Sequence, residues 1–164
     1  MDLYPWVVFV HVGGAFTFVL GHGASAMAAI RLKHEREPER VQALLDLSSG
    51  SLTVAYIGLL LLLVAGVVAG FSGGWWGRLW IWSSLVLLVL IAVAMYPLGS
   101  QYYAKVRHAV GMHTYQDKKD APDPVPSSPQ ELDALLMSHR PDLLAAIGGI
   151  GLLVLLWLML FKPF

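Results

Sequence analysis

Residues 5–30 read PWVVFVHVGGAFTFVLGHGASAMAAI, an unbroken apolar run with no Asp, Glu, Lys or Arg. Crossing a bilayer core takes about 20 such residues in helical form, so this run predicts a membrane-spanning helix. Three more stretches free of Asp, Glu, Lys and Arg, 52–71, 79–98 and 143–161, have spanning length. The expected fold is an all-α transmembrane four-helix bundle, a single integral membrane domain covering residues 1–164 in a lipid bilayer. Composition agrees: 57% of the 164 residues are hydrophobic and only 13% are charged, against about 25% charged in soluble domains.

The first run is not the pattern of a cleaved leader. Ala24-Ser25-Ala26 resembles a cleavage site, but Met1-Asp2-Leu3-Tyr4 carries no positive charge and the apolar run is too long. Basic residues follow it instead. Segments 31–49 and 101–140 hold nine of the eleven Lys and Arg, leaving only Arg78 and Lys162 on the other side. Lys and Arg accumulate in cytoplasmic loops, so both termini are expected outside and both larger loops in the cytoplasm. Trp6, Trp75, Trp76, Trp80, Trp82 and Trp157 all lie near the outer ends of the spans, as half of an interfacial aromatic belt.

Within the loops, Val41, Leu44, Leu45 and Leu47 alternate with charged residues over 38–47, which predicts a short amphipathic helix on the inner surface. Residues 117–126, with Pro122, Pro124 and Pro126, read as an irregular polar loop. Ser128-Pro129-Gln130-Glu131 is a capping box with Pro at the first helical position, opening a second short helix towards Ser138. Pro97 predicts a kink or break at the end of the third span.

The chain has no cysteine, which excludes disulfides, thiolate metal sites, a cysteine nucleophile and covalent haem attachment. A net charge of zero provides no electrostatic drive towards nucleic acid. No carboxylate pair or nucleophile constellation points to hydrolysis, and whether the protein is an enzyme stays open. Small residues recur every four positions at Gly13, Thr17, Gly21, Ser25 and Ala29. Gly66 and Gly70 repeat the pattern in the second span, and Gly148, Gly149 and Gly151 thin the fourth. Such stripes let membrane helices approach closely, either at the internal seam or at a homodimer face.

His11 and His22 are the principal functional candidates, because ionisable residues inside spans are rare and usually face the protein interior. Eleven residues of helix leave them about 20° apart in azimuth and about 16 Å apart along the axis. His11 lies level with Ser83 and Ser84, and a hydrogen bond to Ser84 is the simplest role for it. His22 lies level with Met95 and Tyr96 and near Tyr56. Imidazole and thioether are ligands for haem iron and copper(I), so His22 with Met95 is a candidate ligand pair. His34, His108, His113 and His139 read as cytoplasmic. The alternative is a third helix that continues inwards through Lys105-Val106-Arg107-His108.

Phe9-Val10-His11-Val12-Gly13-Gly14-Ala15, with Gly21 ten residues after the histidine, resembles the opening helix of copper-resistance protein D-like membrane proteins. It is also similar to haem-binding protoporphyrinogen oxidases of the HemJ type and to four-span bacterial membrane proteins near them. The resemblance implies a helical bundle in a bacterial cytoplasmic membrane, with His11 ligating haem b or copper. It extends residue by residue only to His11 and Gly21. Thr17 and Phe18 stand where those families often carry Trp, and Met27 and Ala28 where the oxidases carry a basic residue. The leading expectation is a small membrane redox or metal-binding component with His11 and His22 as ligands, though a chain with no cofactor fits equally. The alternatives are a non-catalytic subunit or scaffold of a larger membrane complex and a small transporter. The latter would lack the usual intramembrane carboxylate.

Overall fold

The computed structural model describes residues 2–118 and 120–164. Met1 and Lys119, both used in the charge reading, lie outside them. The order is α1 (Tyr4–Leu32), α2 (Pro38–Ser72), a 3-10 turn (Trp75–Gly77), α3 (Leu79–Met95), a π-turn (Tyr96–Ser100), α4 (Gln101–Ala109), α5 (Pro129–Leu136) and α6 (Arg140–Phe161). No strand occurs among the described residues. Four helical stretches are long and apolar enough to cross a bilayer: Tyr4–Leu32, Pro38–Ser72, Leu79–Ala109 and Pro129–Phe161. Leu, Val and Phe side chains on their outer faces are exposed, as a lipid environment requires. The protein is a multi-pass integral membrane protein.

The bundle is built from two pairs. α1 packs along α2, α3 packs on α6, and α6 reaches back to α1. The buried residues of α1 are Gly14, Gly21, Ala28 and Leu32. A β-carbon at Gly14 would sit 2.6 Å from the Leu62 amide nitrogen, and one at Gly21 2.6 Å from that of Ala55. One at Gly58 would fall on the α1 backbone at Thr17 and Phe18. The seam therefore follows a seven-residue step through 14, 21 and 28, not the four-residue stripe through Gly13, Thr17, Gly21, Ser25 and Ala29. Seven residues turn a helix to within about 20° of its starting azimuth, whereas each four-residue step drifts about 40°. Only Gly21 belongs to both rows. A β-carbon at Gly13 would meet nothing within 4 Å, the Thr17 hydroxyl donates back to the Gly13 carbonyl, and Ser25 shares a 2.7 Å hydrogen bond with Ser48.

Two expected boundaries move. The amphipathic stretch 38–47 is not a separate surface helix but the opening of α2, which runs unbroken from Pro38 to Ser72. Its polar junction stays helical because Ser49, Ser51 and Thr53 donate to the carbonyls of Leu45, Leu47 and Ser49, the i−4 pattern that satisfies a hydroxyl without opening the helix. Pro97 does not end the third helix either. The chain passes it in a π-turn and continues as α4, and the Arg140 guanidinium donates to the Pro97 carbonyl at 3.2 Å. The third helix thus reaches His108, the alternative course raised above.

These extensions meet in a cap beyond one end of the spans. Val41 and Leu45 of α2, Tyr102 and Val106 of α4, Leu132 and Leu136 of α5, and Leu32 of α1 form one buried cluster. Arg107 ties it to α2, donating to Asp46 at 2.8 Å and to the Ser49 hydroxyl at 2.9 Å, while Tyr102 donates to the Leu135 carbonyl at 2.8 Å. The capping box at Ser128 and Glu131 forms as expected, with Pro129 opening α5. At the opposite end Trp75 donates to the Tyr4 hydroxyl at 3.1 Å, and the Trp80 amide to the Phe164 carbonyl. Both ends of the chain therefore lie on that side. Trp80 is buried, while Trp6, Trp82 and Trp157 stay exposed, so the indoles divide between an internal aromatic cluster and a lipid-facing belt.

Candidate functional site

The face of α1 that carries both histidines turns into the bundle. His11 places Nδ1 2.7 Å from the Leu62 carbonyl oxygen on α2. A carbonyl only accepts, so Nδ1 carries the proton of this contact. The ring lies over Gly66, whose absent β-carbon would approach it to 3.0 Å. The expected partner, Ser84, is engaged elsewhere: it is buried and donates to the Trp80 carbonyl one turn back on its own helix. Gly70 makes room for Trp76 in the same way.

His22 occupies a different junction. A β-carbon at Gly148 of α6 would stand 3.2 Å from His22 Nε2 and 3.2 Å from the Met95 methyl carbon. The His22 imidazole from α1 and the Met95 methyl from the last turn of α3 thus both border a buried glycine of α6. Phe18, one turn before His22, stacks on the imidazole at 5.5 Å between centroids and 16° between planes, setting its azimuth. Tyr56 and Tyr96 are mostly exposed. α6 is what brings the pair together, since α1 and α3 each pack against it.

Phe18 was legible as the i−4 neighbour of His22. Gly148 was singled out for packing alone, because nothing in the sequence relates its height to that of His22. The other histidines lie in or beside the cap: His108 Nε2 bonds Asp117 at 2.9 Å, His113 Nε2 bonds Asp123 at 2.9 Å, and His139 is almost fully exposed near Asp142. Among the described residues no group of three or more His, Asp or Glu is arranged to hold a metal ion. An apolar groove of about 350 Å³ between Leu3, Trp6, Val10, Leu61, Val64 and Val68 touches neither intramembrane histidine.

Comparison with protein-family models, with characterised proteins and with solved structures returns no match for this chain.

Proposed function

We propose that this membrane protein is a small metal-binding component that holds copper(I) between His22 Nε2 and the Met95 thioether. The observation that carries the reading is that the His22 imidazole and the Met95 side chain, from separate helices, both border Gly148. Thioether sulfur is a soft donor that selects copper(I), and neutral imidazole is a good second ligand for it. The surroundings suit a monovalent ion, since no carboxylate lies within the apolar runs to balance a higher charge.

His11 has a supporting place here. Its Nδ1–H to Leu62 contact is an interhelical hydrogen bond, of the kind that contributes about 0.6 kcal/mol in membrane bundles. It holds α1 in register with α2, and α1 carries His22.

Copper(I) titration of detergent-purified protein against a chromophoric chelator tests this reading. A stoichiometric complex is expected for the native chain and for His11→Ala, with loss of binding in His22→Ala and Met95→Leu. Equal competition by all four chains would overturn it. So would a Soret band in protein from native membrane that His22→Ala removes, which would restore haem as the ligand.

A further inference from the structure

Where α1 ends and α2 begins, Arg31, His34, Glu35, Arg40, Ala43 and Leu44 line a hollow of about 460 Å³. Its electrostatics differ from those of the surrounding cap. Lys33, Arg36 and Arg107 are each bound to a carboxylate, on Asp142, Asp133 and Asp46. Arg31 makes no ion pair among the described residues and is exposed. Arg40 meets Glu37 at 2.8 Å and Glu35 only at 3.9 Å, with most of its side chain in solvent. Exposed pairs of this type contribute about 0–1 kcal/mol, so the guanidinium can turn to another anion.

Glu35 is the one carboxylate in the hollow, and it is already engaged. Its Oε1 accepts from the backbone amides of Arg36 at 2.9 Å and Glu37 at 3.1 Å. Those amides hold its carboxyl below the usual value, so it stays ionised without needing Arg31. Arg31 is thereby left with no carboxylate bound to it among the described residues, and Arg40 with only exposed pairs. Its position is equally specific, since Arg31 follows Ile30, the last residue of the first apolar run, at headgroup depth. One helical turn towards the membrane stand Met27 on α1 and Leu47 on α2, both more than half exposed. Helical neighbours at i±3 and i±4 share a face, so cationic and apolar surface follow one another along the same corner.

We propose that this corner is a binding site for an anionic phospholipid. Its phosphate sits between Arg31 and Arg40, its glycerol over Ala43 and Leu44, and an acyl chain runs along Met27 and Leu47. Basic pockets between spans recognise anionic headgroups by this combination of charge and depth.

The test measures binding of phosphatidylglycerol, phosphatidylcholine and inorganic phosphate to purified full-length protein, by native mass spectrometry and by the shift of Tm. Phosphatidylglycerol is expected to remain bound and raise Tm, and phosphatidylcholine to do neither. The Arg31→Gln/Arg40→Gln chain is expected to bind phosphatidylglycerol at least about tenfold more weakly, and Arg78→Gln, at the other end of the bundle, to bind it normally. Equal retention in the double variant overturns the proposal. A full Tm shift with inorganic phosphate alone overturns the lipid in favour of a free phosphate. If the double variant is poorly folded, Arg31→Gln alone decides, because Arg31 anchors nothing else among the described residues.

Discussion

Between α1 and α2 the buried positions are Gly14, Gly21, Gly58 and Ala55, whereas in the cap they are Val41, Leu45, Val106, Leu132 and Leu136. The two regions share α1 and α2 but follow opposite packing rules. Inside the bilayer, lipid tails are as apolar as leucine, so large side chains gain nothing by turning inwards, and backbone contact across small residues holds the seam. Beyond the bilayer, water is the alternative solvent. There aliphatic side chains turn inwards, and ion pairs, a capping box and carbonyl-directed hydrogen bonds complete the surface. The same α2 helix changes rule between Leu45 and Ala55.

Three experiments break or sharpen that contrast. Gly58→Leu should have the largest effect, because its side chain would fall on the α1 backbone, which cannot give way as a flexible side chain can. At least about 3 kcal/mol of destabilisation is expected, the upper end for overpacked sites, and Gly13→Leu should stay within about 0.5 kcal/mol. Thermal unfolding in detergent reads both, and equal losses would return the seam to the four-residue row. Leu136→Ala comes next. As a cavity in a water-type core it should cost about 2–5 kcal/mol while leaving intact the copper(I) binding proposed for His22 and Met95. A cost near zero would mean that the cap is not an independent core.

The smallest expected effect is in the loop that closes the cap. His108 and the Thr114 amide both donate to Asp117 and hold its carboxyl at about 2, below the ordinary 3.8. A depressed folded-state value means that the stabilisation is complete above the ordinary value and is lost as pH falls towards about 2. Pepsin should therefore cut 111–126 progressively faster over that window in the native chain. In Asp117→Asn it should cut fast throughout, and a native rate flat in pH would count against the tether.

Legibility varied with how local each feature is. Four runs free of Asp, Glu, Lys and Arg were visible because hydropathy adds residue by residue, and the capping box because its partners are three residues apart. Pro97 marked an irregularity that is present as the π-turn at 96–100. It did not show that the helix resumes beyond it, where Arg140 on another helix donates to the Pro97 carbonyl. The stretch 38–47 reads as a separate surface helix, whereas α2 runs on without a break, accompanied by the i−4 hydroxyl bonds of Ser49, Ser51 and Thr53. The 14–21–28 row was present in the sequence but masked by a four-residue row with more members. Phase drift decides between them.

The sequence by itself determined the solvent, the number of spans, that Tyr4 and Phe164 share a side, and the two imidazoles within the apolar runs. These depend on composition over a window and on counting residues along one helix. Only the tertiary structure decided that His11 is held by the Leu62 carbonyl and that His22 and Met95 both border Gly148. Such meetings depend on the relative rotation and axial shift of different helices. A shift of one residue moves a side chain about 100° around its axis, and that phase is set by which small residues the neighbouring backbone finds.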